Sequence, residues 1–343
     1  MRCEELADHF AERRAALHTP LLTIGDVVGR WIESPHDWRP SSWVSARSNA
    51  RALCADPIST IRVTSLRPTV VRTDMVRWRD DGATVSVVSG RFRILRSALG
   101  WAVGESLIET NPLTGMRGPP RPGTRMHVPI DDLRALLDTA GRLLEKAQAS
   151  YDGSNRRSRE LHRAEQLRLL VRLAADSGAR RGELAALTFA DLGERVLTIE
   201  RGVSAEQVGP TKTGRVRRLT LGGSTATLWR ECETTWRARA PDDVPFGSWL
   251  FSGRADHQER LTAGAMGHWF AALCGEAGLP GVSLHRLRHT VATFLVGRGD
   301  LLRAQQRLGH RDASTTLRNY AHALPLEDLD AADGIDEMLG ACT

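Results

Sequence analysis

Apolar residues spaced for helices fill the first third of the chain. Ile24, Val27, Val28 and Trp31 follow Thr23, a residue able to cap a helix start, at three- and four-residue intervals and predict a helix over Thr23–Trp31. Similar patterns run through Ser41–Leu53 and Thr69–Trp78. Past Gly82, the residues Val88, Phe92, Leu95, Leu99 and Val103 make one apolar stripe within Thr84–Gly104, with Arg91, Arg93 and Arg96 lying off it. The pattern predicts an N-terminal tail (1–22) and an all-helical domain (23–114). Its three arginines are candidate DNA contacts, although a small bundle with a solvated basic face gives the same pattern.

Residues 115–128 contain Pro119, Pro120 and Pro122 with Arg117 and Arg121, a composition that resists helix and strand alike. A linker is expected there, its two arginines able to track a phosphate backbone. A second domain (129–323) opens with helical patterns over Pro129–Ala140 and Leu167–Ala175, while Tyr151, in the polar run Tyr151–Arg163 between them, reads as loop. The pattern then changes to strands at Arg195–Glu200, Val208–Thr211 and Val216–Leu221, the last two joined by a turn at Lys212-Thr213-Gly214. Helices resume at Ser224, interrupted by a short strand at Trp249–Ser252. The fold class expected is mostly α with a small antiparallel sheet in the second domain, that is, α+β.

Charge adds a partner to this picture. A formal net charge of +6 and 47 basic residues favour a polyanion such as nucleic acid. The five cysteines lie far apart without a Cys-x-x-Cys pair, and the charged N-terminus lacks the apolar core of a signal peptide. Neither a disulfide framework, a thiolate metal site nor a membrane role is indicated, and the chain reads as cytoplasmic. Of all the basic residues only Lys146 and Lys212 are lysine, and the only tyrosines are Tyr151 and Tyr320. Where arginine is the default cation, a retained lysine raises a chemical question: an ammonium can surrender a proton and a guanidinium cannot.

Four short motifs then occur in a fixed order. They are Ser177-Gly178-Ala179-Arg180-Arg181-Gly182-Glu183-Leu184; Thr211-Lys212-Thr213-Gly214; Leu284-His285-Arg286-Leu287-Arg288-His289-Thr290; and Leu308-Gly309-His310 followed by Thr315-Thr316 and then Tyr320-x-His322. Each alone is ordinary: surface arginines at a helix start, a hairpin lysine, an amphipathic helix. In the third, His285 and His289 are four residues apart, yet no Glu follows the first His as in His-Glu-x-x-His and no third ligand is evident, so no metal is expected.

Together the motifs resemble the catalytic boxes of the tyrosine recombinases of the phage-integrase type. Leu99-Gly100-Trp101-Ala102-Val103 with Ile108 and Asn111-Pro112 is similar to the exit of that family's helical core-binding domain, so the resemblance covers roughly Thr23 to His322. It implies a C-shaped clamp of two domains on duplex DNA, which is cut and rejoined through a 3′-phosphotyrosine without metal or ATP. It assigns Tyr320 as nucleophile, Arg180 and Arg288 as phosphate ligands, His310 and in part His285 as hydrogen-bond donors, His285 as candidate base and Lys212 as acid. Glu183 would orient an arginine or histidine, and His289 would cap or buttress the fold. Ser177 stands where the family usually has Thr, and keeps the hydroxyl.

The resemblance further implies four protomers on two DNA sites, and the expected partners extend to an accessory factor that sets direction, in a nucleoid-associated enzyme. The C-terminal segment (324–343), apolar at Leu324, Leu326, Leu329, Ile335, Met338 and Leu339 among many acidic residues, either packs on its own domain or docks on a neighbouring protomer. Two rival functions share the motifs: a type IB topoisomerase that relaxes DNA, and a DNA-binding protein that has lost the chemistry.

Overall fold

In a computed structural model the described residues are 22–120, 127–240 and 245–310, with 312, 314, 317 and 320. Arg121 and the acidic C-terminal segment lie outside them. The chain divides into two compact units, Met1–Thr124 and Arg125–Thr343.

The first unit consists of α1 (Ile24–Glu33), α2 (Pro40–Cys54), α3 (Pro68–Asp80) and α4 (Val85–Gly104). Thr23 starts α1 through a reciprocal cap: its hydroxyl accepts the Asp26 N–H at 3.2 Å, and the Asp26 carboxylate accepts the Thr23 N–H at 2.9 Å. The apolar faces of α1 (Ile24, Val27, Val28, Trp31) and α4 (Val88, Leu95, Leu99) close on one another in a single core that α2 and α3 complete. Burial of each such side chain contributes about 1.5–3 kcal/mol. Asp56 ties the connection behind α2 to α3 by accepting from Trp78 Nε1 at 2.7 Å and pairing with Arg77.

The second unit packs α5 (Ile130–Ala149) and α6 (Asn155–Ser177) together, with α8 (Gly223–Ala238) and α10 (Leu284–Gly297) against α6. Helix α9 (Ala263–Glu276) covers α5 and the short α7 (Arg181–Ala185). Helix α11 (Leu301–Leu308) packs on α10. Tyr151 lies outside any helix, as expected, and helix α6 starts at Asn155, so the rest of the polar run to Arg163 is mostly helix. Ser154 caps it, and Arg156 and Arg157 both pair with Glu160. That first turn is held by a cap and side-chain pairs on a solvated face, which leaves no apolar stripe to read.

The strands differ from the expected hairpin. Strand β1 (Val196–Ile199) pairs antiparallel with β4 (Arg217–Thr220), Val196 facing Thr220 and Ile199 facing Arg217. Strand β2 (Arg201–Ser204) pairs with β3 (Gln207–Pro210) through a turn at Ala205 and Glu206, both with positive φ. Lys212 therefore sits in the link between two ribbons, not at the tip of one. The unread strand β2 carries Gly202 and ends in a turn with no Asn-Gly or Asp-Gly signal. Trp249 makes one isolated bridge to Thr188, not a strand.

Candidate active site

The four motifs converge on α10. Its Leu284, Leu287 and Ala292 are buried, and so, on the adjoining face, is Arg288, only 2% exposed. Arg288 Nη1 donates to Gly178 O at 2.7 Å, in the first motif, and Nη2 donates to Leu308 O at 2.5 Å, in the last. One guanidinium thus binds the backbone of the first and the last motif. Burial first, and then the charge of Arg180, push Arg288 down to about 9. It remains a cation at neutral pH.

Arg180 stands at the entry to α7. Glu183, one turn later, accepts the Arg180 backbone N–H at 2.7 Å and its Nη1 at 2.8 Å. Gly182 lets this turn lie on β2, since a Cβ there would come 2.5 Å from Val203 O. Burial pushes the Glu183 carboxyl up, but Arg217 by hydrogen bond and charge, and Arg180 by charge, outweigh it and hold Glu183 at about 2. The Ser177 hydroxyl donates to Leu173 O and accepts the Ala179 N–H at 3.1 Å, which fixes the end of α6 just ahead of Arg180.

Tyr320 is 2% exposed, its ring among Ala292, Val296, Ala304 and Leu308 of α10 and α11. Its hydroxyl meets His289 Nδ1 at 2.5 Å. Burial first, and then the charges of His285 and Arg288, push His289 down to about 4, so the ring is neutral at pH 7 and shares one hydrogen bond with the phenol through Nδ1. Burial raises the phenol above its ordinary value, and the charges of Arg288 and Arg180 act against that rise.

His285, to which the resemblance gives the role of base, stands edge-on to His289 with ring centroids 4.6 Å apart. The phenol's partner here is His289, which the sequence marked only as a cap or buttress. A helix that presents its residue 289 to one neighbour and 285 to solvent cannot be told from the reverse until that neighbour is placed. Burial, then Arg288, Arg180 and Lys212, push His285 below its ordinary value. Burial, then Arg288 and Arg180, push His310 to about 4. Lys212 is exposed on the turn closed by Gly214 N–H to Thr211 O at 2.9 Å.

The arginines proposed for the first unit separate. Arg93 and Arg96 line a surface cavity of about 370 Å³ with Ser86, Ser89 and Ser97, and Arg117 is exposed. Arg91 instead lies over the Trp78 ring at 5.3 Å, a packing role the stripe did not reveal. Among the described residues no group of three or more His, Cys, Asp or Glu side chains forms a metal-binding cluster, and no helix is long and apolar enough to cross a membrane.

Residues 154–327, about half of the chain, match the phage integrase family. The tyrosine recombinase XerC of Escherichia coli O139:H28 is 29% identical over 74% of this chain and 75% of its own length. A XerC-like tyrosine recombinase of Caldanaerobacter subterraneus subsp. tengcongensis is 21% identical over 92% of this chain and 83% of its own. Among solved structures, the Tn1549 transposon integrase in complex with transposon right-end DNA shares the fold with a TM-score of 0.70 at 17% identity, covering 93% of this chain and 100% of that one. A lambda integrase tetramer bound to a Holliday junction gives 0.64 at 17%, covering 92% of this chain and 82% of that one.

Proposed function

The chain belongs to the phage integrase family and is a tyrosine-type site-specific DNA recombinase, and we propose that Tyr320 is its nucleophile. The observation that supports this most is the meeting of the last two motifs, with the Tyr320 phenol bonded to His289 inside the field of Arg288 and Arg180.

In the proposed reaction the phenol oxygen attacks a DNA phosphorus and forms an aryl phosphodiester to the 3′ side, while the bond to the 5′ oxygen breaks. Negative charge grows on the non-bridging oxygens, where Arg180 and Arg288 supply planar forked donors and His310 and His285 further hydrogen bonds. A neutral histidine takes the phenol proton, and the hydrogen bond between Tyr320 and His289 Nδ1 supports His289 in that role. Lys212 donates the proton that makes the 5′ oxygen a leaving group. A 5′-hydroxyl from another strand reverses the step, since the aryl ester conserves the energy of the cut bond. A phenol only 2% exposed must be uncovered before it attacks, so DNA binding has to loosen the packing of Tyr320 against α10 and α11.

Recognition of duplex DNA by both units as a clamp, assembly of four copies on two sites, a direction-setting factor and a cytoplasmic location belong to the same proposal. Arg93, Arg96 and Arg117 are its DNA contacts in the first unit. The test is incubation with supercoiled plasmids that carry or lack the DNA junctions of the element encoding the protein. Site-dependent recombinants are expected. Relaxation without recombinants would mark a topoisomerase, and a mobility shift alone a binding protein without chemistry.

A further inference from the structure

We propose that Arg217 is a positioning residue for strand cleavage, because its guanidinium holds Glu183, and through it Arg180, to the backbone that leads into His310; this rests on the reading of Tyr320 as nucleophile.

Three arginines lie close together on this segment, and the sheet sorts them. Opposite β1, strand β4 alternates inward and outward, so Arg217 and Leu219 are buried while Arg218 and Thr220 are exposed, and Arg215 lies exposed before the strand. Arg217 thus occupies a core position at 8% exposure, where an unpaired charge would be costly. Its Nη2 pairs with Glu183 Oε2 at 2.6 Å and its Nη1 with Oε1 at 3.2 Å, a two-pronged fit to the carboxylate that also accepts from Arg180.

The third donor of Arg217 is used elsewhere. Nε donates to Arg307 O at 3.0 Å, one residue before the Leu308-Gly309-His310 turn. Gly309, with φ of +63°, lies against the arginine stem so closely that a Cβ would meet Arg217 Cδ at 3.2 Å. The same turn is braced from behind, where the Arg307 side chain donates to Asp176 O at 2.9 Å, pairs with the Asp176 carboxylate and reaches Thr220 O at 3.2 Å. On its other side Arg288 holds Leu308 O. Arg180 and Arg307 lie more than 120 residues apart in the chain, and Arg217 links their segments, by hydrogen bonds to Glu183, which holds Arg180, and to Arg307 O, three residues before His310. Its charge also helps to push His310 down, after burial, Arg288, Arg180 and His289. Lysine would keep the charge but could not supply three donors in fixed directions.

Arg217→Met and Arg217→Lys are to be compared with wild type and with the outward control Arg218→Met. Single-turnover cleavage of a nicked suicide duplex is followed from pH 5 to 9, with half-site affinity by native gel and thermal unfolding alongside. Arg217→Met should slow cleavage roughly 10- to 100-fold at near-normal half-site affinity. Its acid limb should move to higher pH, because Glu183 loses the hydrogen bonds and charge that hold its carboxyl down, and a protonated Glu183 no longer holds Arg180 as an ion pair. Arg217→Lys should return the acid limb towards wild type while recovering the rate only in part. A folded Arg217→Met variant with wild-type rate, or a slowed one with an unmoved acid limb, overturns the proposal. If Arg217→Met does not fold, Arg217→Lys decides: a wild-type rate there overturns it. Tyr320→Phe on the same substrate separates the premise, since an adduct formed without that phenol would refute the nucleophile whatever Arg217 does.

Discussion

Lys212 and the arginines around it carry the same charge, and only chemistry distinguishes them. It sits on the tight turn closed at Gly214, exposed, and its charge reaches His285. If its task is to protonate the leaving 5′ oxygen, Lys212→Arg should slow cleavage of ordinary DNA by roughly two orders of magnitude or more. A 5′-bridging phosphorothiolate, whose sulfur leaves without a proton, should restore most of the rate. Equal defects on both substrates in single-turnover assays would make Lys212 a positioning group. At this scale the motifs made Arg180, Lys212, His285, Arg288, His310 and Tyr320 legible as a set. Two partnerships were not legible: His289 on the Tyr320 phenol and Arg217 on Glu183. Each depends on how one element lies against another, and residue spacing within a helix or strand does not encode that.

Elements were legible where one face is apolar, as in α1, α4 and α10, and illegible where stability comes from tertiary packing. The clearest instance follows α8, where the sequence suggested a strand over Trp249–Ser252; Trp249 instead makes one isolated bridge, and the chain beyond it turns back to bury His257, with a φ of +53°. Its ring is fully buried, stacked on Trp236 at 5.0 Å and edge-on to His162 at 5.1 Å. His257 Nδ1 lies 2.7 Å from Trp249 O. Burial pushes both rings down, to about 4. An unfolded histidine takes a proton near pH 6.5, so the unfolded chain binds protons that the folded one refuses. The contribution of the pair is therefore intact above pH 6.5 and drains as the pH falls from there through 4, by about 3 kcal/mol per ring. Urea unfolding of the full chain between pH 7 and 4.5 should show this loss, with a shallower slope in His162→Phe. An identical slope would mean that His162 is not a neutral ring in the folded protein.

The whole chain joins two units, each with its own core, and carries a formal charge of +6. Against that basic background the acidic and apolar composition after Tyr320 is unsuited to DNA and suited to a protein surface. We expect deletion of residues 335–343 to weaken multimers on DNA at least about 10-fold, with half-site binding by one protomer near normal. Native gels over a protein titration report both, and intact multimers with weakened half-site binding would place the segment on its own domain instead. If one phenol carries the DNA, the covalent link itself can be located. The full chain is trapped on a nicked suicide duplex, denatured, digested, and the DNA-linked peptide identified by mass spectrometry. A single covalent link is expected, at Tyr320, absent from Tyr320→Phe and unchanged in Tyr151→Phe; a link at Tyr151, or cut DNA with no protein attached, would rule out Tyr320 as the nucleophile.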